Sequence, residues 1–387
     1  GFTFPENTIL PSGGFLVVAN DPAALLADHP GIEVLGPFSG SLDRGGETLV
    51  LRDSFSNPVD IVRYEDGGRW PAAADGQGSS LELRDPQSDN SLPGAWAGSD
   101  ELARTTWQTY SYVGRAAAST VGPDNQWREF VFGLLEEGEL LLDDLSVIED
   151  PTGAARQFLR DGDFQDGNLN EWRALGNHRH ASVIPDPANP ANRVLHLRAT
   201  GSTEHMHNHL ETTFANGESV NNGTVYEISF KARWLSGANL FHTRLYFNRL
   251  PRTTELTRPD ILGTPGAPNS QLEANIGPPT RGLTHRPAVP APGAPVTVSI
   301  EATDPDNVDN LRLFYSVHSG PFQVVPMSAT GSGTTFEGTI PGGATGQTIQ
   351  FYVEATDGQG AKSFTPAAGP GSGAMYEVDD GRAATTG

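Results

Sequence analysis

Apolar and polar residues alternate along most of this chain, in runs of about four to eight positions. Such alternation predicts β-strands with one buried face, because successive side chains of a strand point to opposite sides. In the first hundred residues the predicted strands are 15–19, 47–52, 59–64 and 80–84. The 45 glycines and 30 prolines fall mostly between the runs and mark turns. The pattern therefore predicts an all-β chain.

One short helix interrupts the strands. Asp21 precedes Pro22 and an Ala/Leu-rich run that ends at Asp28. Aspartate is a preferred helix N-cap, and proline fits the first helical position, where its missing N–H is not needed. We therefore predict a helix at residues 22–28.

Strand patterns continue to the C-terminus, at 194–198, 226–234, 240–248, 296–301, 311–317, 335–340, 348–355 and 375–378. A chain of 387 residues is too long for one all-β module. We predict three units at 1–100, 101–260 and 277–380, with a linker at 261–276 and a tail at 381–387.

The composition of the chain excludes several classes of function. The formal net charge is −22, so a phosphate backbone would be repelled and nucleic-acid binding is not expected. The chain has no cysteine, which excludes disulfides and thiol chemistry. No run approaches the ~18 apolar residues of a membrane span.

Several short motifs follow one another in the first unit: Gly40-Ser41-Leu42, Gly46-Glu47-Thr48-Leu49, Trp70-Pro71 and Gly78-Ser79-Ser80-Leu81. Their order resembles a lamin-tail domain, an immunoglobulin-like sandwich that serves secreted bacterial proteins as an attachment or spacer module. The resemblance implies a start in mid-domain, and hence a piece of a longer secreted or cell-surface protein. That family's pattern ends in a Gly-Thr-Pro-Gly segment, found here at 263–266. Either the middle unit is inserted before it, or the segment is a linker.

The second unit resembles a galactose-binding-like jelly roll of the kind found in carbohydrate-binding modules. The resemblance rests on the run 139–148, on Asp161-Gly162-Asp163-Phe164-Gln165 and on Trp172. In that family the two motifs occur in the opposite order. The jelly roll is therefore circularly permuted, or 105–150 and 157–250 belong to two separate units.

The third unit begins after a proline-rich stretch, 278–292, and its strand spacing predicts a seven-strand immunoglobulin-like sandwich. The segment 351–360 resembles the late strands of bacterial immunoglobulin-like repeats. With 376–381, it is similar to the region that precedes CotH-type kinase domains in large secreted proteins. No kinase motif occurs in the sequence.

Histidines cluster in the second unit. If residues 204–211 form a strand, His205, His207 and His209 project from one face and would suit Zn²⁺ or Cu²⁺. Alternatively, these histidines form hydrogen bonds with loops. The stretch with Glu211 also resembles the first motif of the cupins, which implies a metal-dependent enzyme with His242 as a further ligand.

A second metal prediction is calcium. The jelly-roll resemblance implies one structural Ca²⁺ held by Gln165 with Asp143 or Asp144, oxygen ligands of the kind that calcium prefers. Alternatively, Asp144 only caps an edge strand. The acidic run 304–310 lacks the EF-hand residues and predicts a solvated turn.

Sugar binding calls for an aromatic platform beside planar polar groups. Candidate residues of these types are Trp172, Trp234, His242, Arg244, Tyr246 and Asn248. In a strand at 241–248, the last four of these share one face and the opposite face is apolar. This asymmetry is typical of a binding sheet, and equally of an ordinary solvated sheet.

These patterns predict a non-catalytic adhesion or structural segment of a larger secreted protein. The expected partners are extracellular polysaccharide, another surface or matrix protein, or further copies that assemble into filaments or layers. One alternative is a carbohydrate-binding module that targets a distant catalytic domain, and another is the cupin-like enzyme. No nucleophile motif supports hydrolysis.

Overall fold

The chain is described by a computed structural model over residues 1–76, 78–117, 128–203, 207–246, 248–331 and 333–381. Strands account for 42% of it, which confirms the all-β prediction. The chain folds into two compact units, one of segments 1–41, 71–81 and 98–270, the other of segments 42–70, 82–97 and 271–387. Each unit is discontinuous, whereas the sequence pattern predicts three consecutive units.

The predicted helix is present as α1, Pro22–Asp28. The Asp21 carboxylate accepts hydrogen bonds from the backbone N–H groups of Ala23 and Ala24, at 3.1 and 3.0 Å. Within the described ranges, single 3₁₀ turns lie at Ala72–Ala74, Pro93–Ala95, Leu102–Arg104, Gly176–His178, Ala215–Gly217 and Gly369–Gly371. Among the described residues, none of the helices has the length and hydropathy needed to cross a membrane.

The strands described in the first hundred residues are β1 Val17–Val18, β2 Val34–Leu35, β3 Gly46–Arg52, β4 Pro58–Glu65, β5 Leu81–Leu83 and β6 Trp96–Gly98. They form three two-stranded sheets, β1–β2, β3–β4 and β5–β6. The sandwich implied by the lamin-tail resemblance stays a prediction from the sequence. Strands β3 and β4 also differ from the prediction of one buried face, since Leu51 and Ile61 are 48% and 47% exposed.

The segment 263–270 returns to the residues that precede the jelly roll. The fully buried Glu101 carboxylate accepts a hydrogen bond from the Gly263 N–H at 2.7 Å. The Asp100 N–H donates to the Ser270 hydroxyl, also at 2.7 Å. The chain thus leaves and re-enters this region at neighbouring points, and the insertion of the middle unit stays a prediction from the sequence.

The strands described between these points are β7 Gln108–Arg115, β8 Glu129–Leu134, β9 Gly138–Glu149, β10 Arg156–Gln157, β11 Arg173–Ala174, β12 Ser182–Asp186, β13 Asn189–Ala199, β14 Leu210–Thr213, β15 Val225–Gly237, β16 Leu240–Leu245 and β17 Arg252–Glu255. We call this the middle sandwich. Its six-stranded sheet has the order β12-β13-β9-β15-β7, with β10 on β9, and its five-stranded sheet has the order β11-β14-β8-β16-β17. Apolar side chains from both sheets form one core.

Strand β9 carries the run 139–148 and lies inside the six-stranded sheet, between β13 and β15. The Gly162 carbonyl accepts a hydrogen bond from the Leu145 N–H at 2.8 Å. Both motifs of the jelly-roll resemblance therefore lie in one sandwich, in the reversed chain order.

The strands described in the C-terminal part are β18 Thr280–Arg286, β19 Val296–Ala302, β20 Val308–Val317, β21 Gln323–Thr330, β22 Thr335–Ile340, β23 Thr348–Asp357, β24 Lys362–Thr365 and β25 Met375–Glu377. We call them the C-terminal sandwich. Their order is β18-β19-β22-β21-β20-β23-β24, with β25 on β23, and they enclose a second core. All five strands predicted here are present, and β18, β21 and β24 are additional.

Replacement of Phe132 tests the assigned core of the middle sandwich. Its side chain is fully buried, and its ring centroid lies 5.4 Å from that of Trp172 and 5.8 Å from that of Phe241. We expect Phe132→Ala to lower the free energy of unfolding by about 3–5 kcal/mol, because it removes apolar contacts and leaves a cavity. Urea unfolding followed by tryptophan fluorescence measures this change. Val113→Ala, at a residue 60% exposed, is the control, and an equal loss there would contradict the assignment of the core.

Candidate functional site

Strand β8 divides its side chains between two environments. Phe130, Phe132 and Leu134 point into the core of the middle sandwich. Glu129 and Val131 alternate with them and point outward, as Gly133 would if it carried a side chain. The neighbouring strands continue this division, which gives the five-stranded sheet an outward side of polar composition. We call it the polar face and define it by Glu129, Val131, Gly133, Arg173, His209, Glu211, Thr213, His242, Arg244 and Tyr246.

Strand register brings these residues together. Val131 lies opposite Glu211 on β14 and opposite Arg244 on β16. Gly133 lies opposite His242. The Tyr246 N–H donates to the Glu129 carbonyl at 2.9 Å, so the row continues beyond the end of β16. Residues distant in sequence thus share one surface.

An arginine connects the two glutamates of the polar face. Arg173 Nε lies 2.8 Å from Glu211 Oε1, and its terminal nitrogen Nη2 lies 2.9 Å from Glu129 Oε1. The hydrogen bond from His209, together with Arg173, lowers the pKa of Glu211 to about 2. Burial and the nearby charge of Glu211 instead raise the pKa of Glu129. Both carboxylates are therefore engaged within the chain.

Two imidazoles pack on Gly133. A Cβ at this position would lie 2.8 Å from His178 Nε2 and 3.2 Å from His242 Nε2, so a larger residue would displace them. The Leu134 N–H donates to His178 Nε2 at 3.0 Å, and His178 Nδ1 donates to Asn177 Oδ1 at 2.6 Å. Burial lowers the pKa of His178 to about 4. Burial and the charge of Arg244 lower the pKa of His242 to about 3, and its buried Nε2 has no partner within the described part of the chain.

Arg244 differs from Arg173 in having no carboxylate partner. Within the described residues, no carboxylate oxygen lies within 4.0 Å of it, and its one hydrogen bond is a long one to Asn248 Oδ1, at 3.4 Å. The side chain is half-buried, and burial lowers its pKa. A half-buried guanidinium with spare N–H donors is a group that a hydroxyl-rich or carbonyl-bearing ligand can satisfy.

The two tryptophans predicted to form an aromatic platform are inside the protein. Trp172 is 3% exposed and packs on Phe132 and Phe164. Trp234 is 1% exposed, and its indole N–H donates to the Gly237 carbonyl at 3.0 Å. Neither ring face is open to a ligand, which corrects the predicted platform. The reason is that burying so large an apolar surface stabilises the core.

The predicted strand at 240–248 ends at Leu245. His242 and Arg244 lie on the polar face as predicted, while Tyr246 and Asn248 lie in the following turn, where Asn248 has a positive φ of 56°. Ligand binding by these four residues stays a prediction.

The predicted histidine strand is also shorter in the structure. Strand β14 begins at Leu210, and His207 lies in an exposed turn. His205 lies outside the described residues. The imidazole of His209 donates to Glu211 at 3.1 Å rather than facing a row of other imidazoles. Metal binding and cupin-like chemistry at these residues find no support in this geometry.

The predicted calcium ligands form a hydrogen-bonded network. Gln165 Nε2 donates to Asn192 Oδ1 at 2.7 Å, and Asn192 Nδ2 donates to Asp143 Oδ2 at 2.9 Å. Asp144 instead forms an ion pair with Lys231 at 2.7 Å. Gln165 thus turns its N–H donors, not its oxygen, toward Asp143, which does not fit a calcium cage. Calcium binding there stays a prediction from the sequence.

The acidic turn at 304–310 meets a third carboxylate. Oxygens of Asp304, Asp306 and Asp357 lie within 4.8 Å of one another. Both oxygens of Asp357 already accept hydrogen bonds, from Asn275 on one side and from the N–H groups of Gln359 and Ala361 on the other. These bonds account for the buried carboxylate.

Comparison with known proteins bears on the same sandwich. Residues 157–248, just under a quarter of the chain, match the family model described as a carbohydrate binding domain. The matched stretch contains three of the five strands of the polar face, and Arg173, Glu211, His242 and Arg244 with them. It supports a carbohydrate-binding kind of jelly roll for this part of the chain.

None of the curated proteins matches this chain. Among solved structures, a bromine derivative of BhCBM56 is 14% identical with a TM-score of 0.17, over 28% of this chain and 96% of that one. A pullulanase from Bacillus acidopullulyticus is 8% identical with a TM-score of 0.16, over 69% of this chain and 36% of that one. These TM-scores are too low to indicate a common fold.

Three residues of the site were not predicted to meet there, although His178 belongs to the histidine-rich part of the second unit. Arg173 lies on a two-residue strand, too short for any periodicity, and Glu129 precedes a run that reads only as apolar. His178 lies in a 3₁₀ turn. Their meeting depends on strand order, which the sequence pattern does not contain.

The lowered pKa values of His178 and His242 predict that acid destabilises the middle sandwich. Because the folded-state pKa values of His178 and His242 lie below 6.5, their contribution is fully present above pH 6.5 and is lost as pH falls toward about 4 and 3. The contribution of Glu211 changes only below its ordinary pKa of 4.5, so Glu211 does not affect the window from pH 6.5 to 4.5. We expect the protonation of each histidine to lower the free energy of unfolding by up to roughly 1.4 kcal/mol per pH unit in this window.

Unfolding free energies across that window test this expectation, for the unchanged chain and for His178→Gln and His242→Gln. Each variant should show a shallower dependence on pH. The raised pKa of Glu129 acts in the opposite direction in all three proteins, so the difference between them is the informative quantity. Equal slopes would contradict the assignment.

The close packing around Gly133 predicts that a larger residue at this position destabilises the protein. We expect Gly133→Ala to lower the free energy of unfolding by about 1–3 kcal/mol, because the new methyl group meets both imidazoles. Gly114 is a poor control, since a Cβ there meets Leu250, whereas Gly223 has open space and Gly223→Ala isolates the effect of its positive φ of 82°. Thermal unfolding measures all variants, and an unchanged Gly133→Ala would contradict the close packing.

Proposed function

We propose that this chain is a non-catalytic carbohydrate-binding segment and that its polar face contacts the sugar. The match of residues 157–248 to a carbohydrate binding domain is the observation that carries the proposal, because that stretch supplies most of the polar face. The half-buried guanidinium of Arg244 adds a donor that has no carboxylate partner among the described residues.

The chemistry of the face favours a particular mode of binding. Sugar hydroxyls are both donors and acceptors, and such faces orient them with a few fixed polar groups. Arg244 lies near the end of β16 and has no carboxylate partner among the described residues, while Arg173, Glu129 and Glu211 hold one another in position. Fixed side chains lose little conformational entropy on binding, which favours affinity.

Charge favours neutral polysaccharides as the ligand class. On the polar face, two arginines balance two glutamates, Arg173 and Arg244 against Glu129 and Glu211. The whole chain carries a formal charge of −22, so a polymer rich in carboxylates or sulfates is repelled at low salt.

We place this binding in an extracellular adhesion or structural segment of a larger secreted protein. A module that delivers a distant catalytic domain to polysaccharide would use the same face and the same ligand class. Binding of a neutral polysaccharide is therefore the property to test first, since both roles require it.

Replacement of Arg244 tests the site. We expect Arg244→Met to weaken retention by a neutral polysaccharide about tenfold, because it keeps the length of the side chain but removes its hydrogen-bond donors. Affinity gel electrophoresis through gels containing a glucan, a xylan or a mannan measures retention of the full chain.

The matched control is Arg198→Met, on the outward side of the other sheet, where Arg198 lies 3.2 Å from Glu139. It should leave retention unchanged, and circular dichroism should report the same fold for both variants. Equal retention of Arg244→Met and the unchanged chain would remove the polar face as the site. Absence of retention in every gel would contradict carbohydrate binding itself.

A further inference from the structure

Aromatic rings also lie outside the core of the C-terminal sandwich. Strands β20 and β23 direct Leu313 and Val353 inward, and Phe314 and Tyr352 outward. Four rings meet on this outward side, and none belongs to the apolar cluster at the centre of the sandwich. We call them the aromatic strip and define it as Phe314, Phe322, Tyr352 and Phe364.

Tyr352 is the centre of the strip. Its ring is parallel to that of Phe314, with centroids 4.8 Å apart and an interplanar angle of 0°. Phe322 and Phe364 meet it edge-on, with centroids 5.1 and 6.1 Å away. Tyr352 is only 6% exposed, whereas the three phenylalanines around it are half-buried and present part of their rings to solvent.

Polar groups lie beside these rings. Glu354 follows on β23, two residues from Tyr352 and on the same side of the sheet. Its Oε1 accepts a hydrogen bond from Arg312 Nε at 3.1 Å, and Lys362 Nζ lies 3.4 Å from the same oxygen. Glu354 Oε2 and the Tyr352 hydroxyl have no partner among the described residues. The guanidinium of Arg312 lies 5.3 Å from the centroid of the Phe314 ring.

We propose that the aromatic strip is a second carbohydrate-binding surface, which takes a neutral polysaccharide chain. The axial C–H groups of a pyranose ring form an apolar patch that packs on aromatic faces, while its hydroxyls require acceptors and donors at the rim. The phenylalanines supply the faces, Glu354 and Tyr352 supply acceptors, and Arg312 and Lys362 supply donors. This surface shares no residue with the polar face, and the inference does not depend on that face.

The composition of the strip distinguishes sugar from protein as the ligand. Protein interfaces are depleted of charged residues at their centre and bury roughly 1,200–2,000 Å² in total. Here a carboxylate, 9% exposed at its side chain, lies next to the central ring and is held by two cations. Such an arrangement leaves a narrow apolar area bordered by fixed charges, which suits one or two sugar rings.

Two substitutions test the strip in the full chain. Phe314→Leu keeps an apolar side chain but removes the ring face, and we expect it to weaken retention about tenfold. Tyr352→Phe removes only the hydroxyl, and we expect a loss of roughly threefold. Tyr315→Phe is the matched control, because its hydroxyl faces Gln323 on the other side of the same strand and its loss should leave retention unchanged.

Each substitution is measured by affinity electrophoresis in the glucan, xylan and mannan gels, alone and combined with Arg244→Met. Additional weakening by Phe314→Leu in the Arg244→Met chain supports a second surface. If Arg244→Met removes all retention and the strip variants remove none, the strip is not a sugar site, while the polar face stands. If only the strip variants reduce retention, the result supports sugar binding by the aromatic strip and contradicts sugar binding by the polar face.

Sedimentation of the same variants completes the test. A Phe314→Leu chain that is retained like the unchanged protein but sediments at a lower mass would identify the strip as a protein contact and overturn the inference. Unchanged thermal unfolding of the variants excludes a general loss of fold as the cause of any effect.

Discussion

The polar face depends on the packing of a single strand, β8. Its Phe130, Phe132 and Leu134 are almost completely buried and fix the strand on the core, between β14 and β16 of the five-stranded sheet. Because side chains alternate, the same strand must direct Glu129 outward and leave Gly133 beneath two imidazoles. The core therefore sets the position of the site. A residue larger than glycine at this point would displace both imidazoles, including the fully buried His178.

The two arginines of the polar face differ in whether a carboxylate pairs with them. Arg173 compensates two partly buried carboxylates, Glu129 and Glu211, and its removal would leave both without a cation. Loss of Arg173 would consequently disturb folding and binding together. Arg244 compensates no carboxylate among the described residues, so its replacement acts on a ligand with little cost to the fold. This difference makes Arg244 the informative position.

Periodicity predicted the local structure well and the spatial arrangement poorly. Two-residue alternation located β13, β15 and β16 of the middle sandwich and five strands of the C-terminal sandwich, and capping chemistry located α1, because these signals depend on neighbouring residues. The position of β9 inside the sheet depends on contacts with β13 and β15, which no local pattern contains. The family match covers residues 157–248 and so begins after β9.

Among the site residues, too, local patterns predict some positions and miss those that depend on the tertiary fold. His242 and Arg244 were predictable because they alternate with apolar residues on one strand. Trp172 and Trp234 were placed on the surface by analogy with sugar platforms, but a large indole is stabilised by burial when a core is available. The aromatic strip was not predicted, because Phe314 and Tyr352 lie in runs that are apolar on both sides, as central strands are.

The two surfaces proposed above would together suit a polymeric ligand. A polysaccharide repeats the same unit, so a second surface finds an equivalent group without a fixed distance to the first. Linking two weak contacts converts the second into an intramolecular event, and the combined affinity exceeds either one without any new contact. Neither surface then needs a deep pocket. In the proposed mode of attachment, the half-buried ring of Phe314 and the half-buried guanidinium of Arg244 would each add a weak contact to the polymer, whereas a small soluble sugar would bind each surface weakly.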